Sequence, residues 1–404
     1  MKKSLIALAA LAAVGAASAQ SSVTLYGVVD IGYGSQTTEG RATATGTARQ
    51  STSGVMDGAN AGNRIGFRGT EDLGGGLKAN FVIEQGISPT SGSLFAQRAG
   101  TAGQQLAGAA GVAYGGGLTA PVAGGIPATS AFSAATNRQS YLGFSGGFGT
   151  VNVGYQYTNL YELGTLSGYN IGSEGVAGAY VSHLQGLAIV GGTRANGITY
   201  ISPNMGGFTV RAQYGASGFV GNFPITNTSS TAAGVASETS GRRWSLMGQY
   251  ANGPLSAALA YTSLRSTNIP AAAGINASRT GNLTQLGASY DFGVVKLAGT
   301  YNNGKDGGTA ATNVSSRYRA YQLGLSAPFG AFVPYVTIGR ASVTPDGGVR
   351  TMDINQSQIG ARYSMSKRTT AYVMYGRVTD DAANVAGTNV YKDRKTVVGV
   401  QHSF

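Results

Sequence analysis

Apolar and polar residues alternate with a period of two along much of the chain. Near the N-terminus, Val23 and Leu25 lie on one face of such a segment, and Thr24 and Asp30 lie on the other. Alternation over about ten residues is typical of a β-strand with one apolar face and one more polar face. The same pattern recurs at residues 64–68, 77–84 and 398–404. The pattern predicts an all-β protein.

Short segments with turn chemistry join the predicted strands in pairs. Glycine, proline, asparagine and aspartate supply the backbone conformations that tight turns need. Such joints occur at residues 71–76, 146–149, 203–207, 252–254, 291–293, 328–330 and 364–367. Seven tight turns, with an unpaired first and last strand, predict sixteen strands and eight longer loops.

Two of the longer loops differ in composition. The second, at about residues 89–136, is rich in alanine, glycine, threonine and serine, as flexible segments are. The third, at about residues 159–192, carries Tyr161, Leu163 and Ile171. The third loop therefore has enough apolar surface to fold against another part of the protein.

The two faces of the strands indicate a membrane barrel. One face carries Thr, Ser, Asn, Gln, Arg and Gly, which suits water, whereas a soluble sandwich packs aliphatic side chains there. The other face is aliphatic and aromatic, with tyrosines such as Tyr26, Tyr33, Tyr141 and Tyr290 placed near strand ends as an interfacial girdle. In lipid every backbone group must be paired, so the sheet must close. Sixteen closed strands leave an aqueous channel.

The N-terminus has the pattern of a secretory signal peptide. Lys2 and Lys3 precede an apolar run at residues 5–17, and Ala17-Ser18-Ala19 is a small-residue cleavage pattern. The apolar run is too short to span a bilayer, which needs about 20 residues. We expect a signal peptide at residues 1–19 and a barrel domain at residues 20–404. Removing Lys2 and Lys3 takes the formal charge from +12 to +10.

Composition excludes several kinds of chemistry. The chain has no cysteine and two histidines, His183 and His402, so a thiolate site or a multi-histidine metal site is not expected. Basic residues are scattered singly or in pairs, which does not favour a nucleic-acid-binding protein. An enzyme would have to use His183, and no G-x-S-x-G element precedes a helix. We expect no catalytic residue, no metal and no cofactor.

Four segments together resemble the general diffusion porins of Gram-negative bacteria, of the beta-proteobacterial and neisserial type. They are SSVTLYGVVDIGY (21–33), NRIGFRGTEDLGGGLKANF (63–81), NRQSYLGFSGGFGTVNVGYQYTNLYE (137–162) and VVGVQHSF (397–404). The resemblance implies a sixteen-stranded antiparallel transmembrane β-barrel in the cell outer membrane. It further implies long extracellular loops, short periplasmic turns and a third loop folded into the lumen.

The same resemblance implies the function and the partners. Ions and small polar solutes would diffuse passively through each subunit of a homotrimer that lies among outer-membrane lipids. The terminal Phe404 resembles the signal that the barrel insertion machinery reads. The alternatives are a solute-specific outer-membrane channel with an aromatic track in the same barrel, or an adhesin that acts through the second loop.

By resemblance, an arginine cluster on the barrel wall faces the third loop. The matching positions are Arg64, Arg138 and Arg194. Arg64 faces the lumen by its place in the alternation, and Arg68 lies on the same face. Arg138 shares the outward alternation of the strand that follows it unless a bulge intervenes. Two departures weaken the positive wall, because Tyr155 and Gln401 stand where the family usually has basic residues.

Acidic residues provide the opposite side of the predicted constriction. Glu162 and Glu174 in the third loop could select ions there, or could bond backbone amides and hold the loop down. Glu84 faces the lumen by alternation, and an arginine–glutamate pair there would serve structure or selection equally well. The charge of +10 predicts a weak to moderate anion preference. Much basic charge is expected on outer loops, at Arg265, Arg279, Arg317 and Arg319.

Overall fold

A computed structural model describes residues 22–43, 46–91, 138–165, 194–216, 237–270, 277–307, 315–350, 352–382 and 391–404. Within these ranges, seventeen strands form a single antiparallel sheet. The strands are β1 Ser22–Thr43, β2 Gly46–Asp57, β3 Arg64–Gly74, β4 Leu77–Gly86, β5 Gln139–Gly146, β6 Gly149–Tyr157, β7 Arg194–Ile201, β8 Phe208–Ala216, β9 Ser237–Asn252, β10 Leu255–Pro270, β11 Ala277–Asp291, β12 Lys296–Asp306, β13 Ser316–Ser326, β14 Phe332–Pro345, β15 Met352–Ser364, β16 Thr369–Asp380 and β17 Tyr391–Ser403. A short 3₁₀ helix, Pro89–Ser91, follows β4, and the helix α1, Asn159–Thr165, follows β6.

The sheet closes into a barrel between its first and last strands. One edge of β1 pairs with β17, and Val28 lies opposite Ser403. The other edge of β1 pairs with β2 over residues 31–43 and with β3 over residues 22–28. Because β2 and β3 follow each other along one partner, they act as one interrupted strand. The seventeen segments therefore form the sixteen-stranded antiparallel barrel that the turn pattern predicts.

All seven predicted tight turns connect neighbouring strands. The turn between β3 and β4 shows the local cause, since Gly74, Gly75 and Gly76 have φ angles of 87°, 60° and 81°. Only glycine adopts this left-handed region without a steric penalty. The turn-forming residues of the sequence therefore predict correctly where the paired strands end.

The two faces of the barrel wall have the predicted opposite character. Leu142 and Val398 point outward with 54% and 59% of their surface exposed, whereas Gln285 and Gln322 point inward at 1% and 2%. The aromatic girdle includes Tyr33 and Tyr290, which are exposed on the outer face. The assignment of Tyr26 and Tyr141 to that girdle was wrong. The Tyr26 hydroxyl lies on the inner face and donates to Glu84. Tyr141 shares the inward alternation of buried Gly143, opposite to exposed Leu142.

Several arginines that the sequence suggested for outer loops lie within strands. Arg265 lies in β10, Arg279 in β11, and Arg317 and Arg319 in β13. The loop prediction for these residues was wrong. The strands continue past the last outward apolar residue, toward the end of the barrel that carries the long loops. Of these residues, Arg265, Arg317 and Arg319 are exposed and alternate with buried neighbours, so they face outward.

Residues 58–63, between β2 and β3, leave the sheet and bend into the barrel; we call them the inner bend. Asp57 lies opposite Ile31 and Arg64 opposite Val28, so the bend inserts extra residues against a continuous β1. Fully buried Asp30 holds the bend, since its Oδ2 accepts the backbone amides of Asn60 and Ala61, each at 2.6 Å.

The inner bend is fixed to strands at the other end of the chain. The Tyr372 hydroxyl of β16 donates to Asp30 Oδ1 at 2.5 Å. Asn60 accepts from Arg362 Nε of β15 at 3.0 Å and donates to Gln401 Oε1 of β17 at 2.6 Å. These partners lie on the inner face, so the bend narrows the lumen on this side.

We expect Asp30→Ala to destabilise the barrel by about 3 kcal/mol, because three hydrogen bonds to a buried carboxylate are lost. Thermal unfolding of the refolded protein in detergent micelles measures this change. Asp72→Ala is the matched control, because Asp72 is exposed and, among the described residues, accepts one hydrogen bond, from the amide of Gly74 in a turn. Equal unfolding temperatures for Asp30→Ala and the control would contradict the role given to Asp30.

Candidate pore constriction

The helix α1, at the start of the third loop, packs against the inner wall of the barrel. Its Leu160 and Leu163 are 1% and 0% exposed. They belong to one apolar cluster with inner-face residues of β9 to β16, among them Met247, Ala258, Ala260, Leu283, Tyr318, Ala320, Ala341, Ile354 and Val378. Thr158 caps the helix, since its Oγ1 accepts the Tyr161 amide at 3.3 Å. The lumen is therefore narrowed at α1.

Strand β8 ties α1 to the wall with polar contacts. Arg211 Nη1 lies 3.1 Å from Glu162 Oε1, and both side chains are nearly buried. Gln213 Oε1 accepts the Asn159 amide at 2.8 Å. Both Arg211 and Gln213 also donate to the Tyr157 carbonyl, at 3.2 and 2.7 Å. The pKa of the Glu162 carboxyl is raised by burial, and the Arg211 guanidinium opposes that rise.

Two arginines converge on the Tyr157 hydroxyl beside α1. Arg138 Nη2 donates to it at 2.7 Å and Arg194 Nη2 at 3.1 Å. The Arg194 guanidinium also lies over the Tyr157 ring, 4.5 Å from its centroid. That ring stacks on Tyr161 of α1 with a centroid separation of 4.5 Å. The aromatic pair therefore links the arginines of the wall to the helix of the third loop.

Glu84 of β4 interacts with two arginines and one tyrosine. It forms an ion pair with Arg138, lies 3.6 Å from Arg64 Nε, and accepts the Tyr26 hydroxyl at 3.1 Å. Arg68 lies over the Tyr26 ring, 5.2 Å from its centroid. We use the name wall network for the linked charged residues Arg64, Arg68, Arg138, Arg194, Arg211, Glu84 and Glu162.

Net charge in the wall network is positive. Its five arginines and two carboxylates give 5 − 2 = +3. The side chains of Arg64, Glu84 and Arg138 retain exposures of 28%, 6% and 11%, so Arg64 is the most accessible of the three. Arg68 is exposed. An anion in the lumen would meet Arg64 and Arg68 before it met the buried carboxylates.

Of the residues expected at the constriction, the wall network contains Arg64, Arg68, Arg138, Arg194 and Glu162. Arg138 precedes the first residue of β5, so the outward alternation of that strand does not govern its side chain, which turns inward. Glu162 is engaged with the wall by Arg211. Glu174 and His183 lie outside the described residues.

Sequence reasoning missed Arg211, Tyr157 and Arg243. Arg211 shares the inner face of β8 with Gln213, so alternation could have placed it in the lumen. Its pairing with Glu162 depends on the path of the third loop, which no local pattern gives. Arg243 of β9 is 4% exposed on the inner face.

Among the described residues, no helix is long and apolar enough to cross a membrane, and no group of three potential metal-ligating side chains occurs.

A closed barrel with an apolar outer face and a charged, narrowed interior defines a channel-forming protein. A family model described as Gram-negative porin matches residues 6–383. The chain belongs to the Gram-negative porin family.

The chain is similar over its whole length to outer-membrane porins. It is 34% identical over 427 aligned residues to outer membrane porin protein 32 of Delftia acidovorans, with 100% of both chains covered. It is 30% identical over 449 residues to an outer membrane porin protein of Bordetella pertussis, again with full coverage.

A solved structure supports the same assignment. The anion-selective porin from Comamonas acidovorans superimposes with a TM-score of 0.61 at 25% sequence identity, over 95% of this chain and 100% of that chain. The protein is therefore a porin of the cell outer membrane. It forms a water-filled channel for passive diffusion of ions and small hydrophilic solutes.

Proposed function

We propose that the channel is a general diffusion pore with a weak preference for anions. The observation that carries this proposal is the net positive charge of the wall network beside the narrowing at α1. Charges at a constriction select ions by Coulomb interactions that low-dielectric walls strengthen. The solved porin from Comamonas acidovorans that resembles this chain is anion-selective, which supports the same sign.

The residues predicted for the constriction have different proposed roles. Arg64 and Arg68 face the lumen and attract anions, while Arg138 and Arg194 carry positive charge and also brace Tyr157. Glu162 mainly holds α1 against the wall through Arg211. Glu174 is proposed, from sequence alone, as an acidic group of the third loop. The pore itself needs no catalytic residue, metal or cofactor.

Assembly and export form a second part of the proposal. We propose that residues 1–19 are a signal peptide and that residues 20–404 form the mature barrel, which assembles as a homotrimer among outer-membrane lipids. Phe404 would present the terminal aromatic residue to the barrel insertion machinery. The family to which the chain belongs supports these assignments.

The reversal potential in a planar bilayer under a KCl gradient tests the ion preference. We expect the sign for Cl⁻ preference, and conductance steps that often come in threes if the protein inserts as a trimer. A K⁺ preference would contradict the role of the arginines. Conductance that changes only with one particular solute would favour a solute-specific channel instead.

A pair of variants at one place should shift the selectivity in opposite directions. Glu84→Gln removes a negative charge, and Arg138→Gln removes a positive charge from the same ion pair. A unit charge about 5 Å from an ion in water contributes roughly 0.8 kcal/mol. This contribution has opposite signs for Cl⁻ and K⁺, so the Cl⁻/K⁺ permeability ratio should rise or fall by up to about fifteenfold at low salt, and less at high salt.

The control for this pair is Asp346→Asn, which changes an exposed carboxylate in the segment after β14 that lies 3.7 Å from Lys305. We expect it to leave the permeability ratio nearly unchanged. Shifts of the same sign for Glu84→Gln and Arg138→Gln would refute electrostatic selection by the wall network.

A further inference from the structure

A group of aromatic and basic side chains lies on the accessible part of the inner wall. Inward residues in the middle of β11 and β13, such as Gln285 and Gln322, are buried. On the wall formed by β1 and β3 to β5, Arg68 is exposed, and Tyr26 and Tyr141 are half-buried. Within the part of the chain that the structure describes, a solute at this level of the lumen therefore meets mainly the side chains of the second wall.

Backbone pairing fixes the order of these side chains across the wall. Arg68 of β3 lies opposite Val82 of β4, and Val82 lies opposite Tyr141 of β5. Residues directly opposite each other in a sheet share one face, so half-buried Val82 also points into the lumen. Neighbouring strands are about 4.8 Å apart, which places β3 and β5 about 10 Å apart. The small apolar side chain of Val82 therefore leaves room above it for one planar ring between Arg68 and Tyr141.

The Tyr26 ring completes this group. Tyr26 lies opposite Gly66 of β3, and a Cβ atom at Gly66 would lie 2.7 Å from the ring carbon Cζ of Tyr26. The ring therefore lies across the backbone of β3, and its hydroxyl reaches Glu84 on β4. We use the name tyrosine patch for Tyr26, Val82, Tyr141, Arg64 and Arg68.

Arg68 is the most accessible cation of the tyrosine patch. Its guanidinium lies over the Tyr26 ring, 5.2 Å from the centroid. No carboxylate within 4.0 Å of this guanidinium is found among the side chains that the structure describes. Arg64, in contrast, lies 3.6 Å from Glu84. A guanidinium that stacks on a ring still directs its N–H groups outward in its own plane, where a carboxylate can accept them.

We propose that the tyrosine patch binds carboxylates that carry a single aromatic ring as these solutes pass through the pore. The carboxylate accepts hydrogen bonds from Arg68, and the ring lies above Val82 in contact with Tyr141 and Tyr26. Aromatic rings attract each other in offset and edge-to-face contacts. Chloride and small aliphatic acids make the contact with Arg68 alone. The inference rests on the proposed diffusion function and adds a graded preference among the organic anions that the pore admits.

Inhibition of the KCl current by added solutes in planar bilayers tests this inference on the full barrel. Benzoate is compared with cyclohexanecarboxylate, which has the same charge and a similar size but no aromatic ring. The concentration for half-maximal inhibition should be about fivefold lower for benzoate, which is the effect expected for one aromatic contact. Benzyl alcohol keeps the ring without the charge, and it should inhibit more weakly than either carboxylate.

Substitutions in the tyrosine patch locate the effect. Tyr141→Leu keeps an apolar side chain and should reduce the difference between the two carboxylates to less than about twofold, whereas Tyr141→Phe keeps the ring and should retain the difference. Arg68→Gln should weaken both carboxylates equally, because both lose the same charged partner. Tyr321→Leu is the matched control, since Tyr321 is an exposed tyrosine on the outer face of β13. Compact migration of each unboiled variant in gel electrophoresis verifies that its barrel is folded.

Three results would overturn the inference. Equal or stronger inhibition by cyclohexanecarboxylate in the native protein would show that apolar burial, not ring contact, governs binding. A full benzoate preference in Tyr141→Leu, or an equal loss of preference in Tyr321→Leu, would show that the tyrosine patch is not the site. The reversal potential is measured separately, so a K⁺ preference together with an intact benzoate preference would support the patch and contradict the proposed ion preference alone.

Discussion

Replacing Arg211 with methionine is expected to release α1 from the barrel wall, so that the channel current becomes larger and noisy. Glu162 is 7% exposed and forms an ion pair with Arg211 at 3.1 Å. Removing one member of a buried ion pair costs about 3–5 kcal/mol, because the remaining charge is left uncompensated. The loss of this free energy destabilises the position in which α1 packs against the wall. Single-channel recording of conductance and its fluctuations measures the effect.

The double variant Glu162→Gln/Arg211→Met separates the ion pair from the packing of α1. Replacing both members of a buried pair with neutral groups is often close to neutral. Leu160 and Leu163 still pack on the inner wall, so the double variant should recover a quiet current of nearly native size. If Arg211→Met alone gives a quiet current of native size, the pair does not hold the helix.

Replacing Gly27 with valine is expected to impair closure of the barrel, with the ratio of folded to unfolded protein lowered by about fivefold or more. Gly27 and Phe404 exchange two backbone hydrogen bonds of 3.1 Å across the closing strands. A Cβ atom at position 27 would collide with the Phe404 ring and would lie 2.7 Å from the Arg64 carbonyl oxygen. The carbonyl belongs to the backbone and cannot move aside easily. The collision should therefore destabilise the pairing of β1 with the end of the chain at Phe404 by roughly 1–3 kcal/mol.

Two comparisons make this experiment specific. Gly248→Val is the matched control, since Gly248 lies in β9 and a Cβ there would meet nothing within 4 Å. Phe404→Ala removes the terminal aromatic ring and leaves Gly27 intact. Refolding into lipid vesicles without other proteins reports closure alone, and the folded fraction in cell envelopes reports insertion as well. Native folding of Gly27→Val in vesicles would show that this close approach is dispensable.

The strand and turn layout could be predicted because its causes are local. A turn such as Gly74–Gly76 depends on the conformations open to its own residues. Alternation in β1 likewise needs only neighbouring side chains to show which face meets lipid. Sixteen strands follow from these two local signals. Interruption of the second strand at the inner bend could not be read from them.

Contacts of the constriction depend on residues that are distant in sequence. Arg64 could be placed in the lumen by alternation, but its shared acceptor Glu84 lies on the next strand. The direction of Arg138 is decided by where β5 begins, and a shift of one residue reverses it. Pairing of Arg211 with Glu162 joins β8 to a loop helix whose position depends on the whole inner wall.

The inner bend links the shape of the pore to the order of folding. Its contacts join Asp30 to Tyr372 across 342 residues and Asn60 to Arg362 across 302 residues. Contacts this distant in sequence are slow to form, because a long loop must be closed first. They exist only once the last strands have met the first. The final step that seals the barrel against lipid is therefore also the step that narrows its interior on this side.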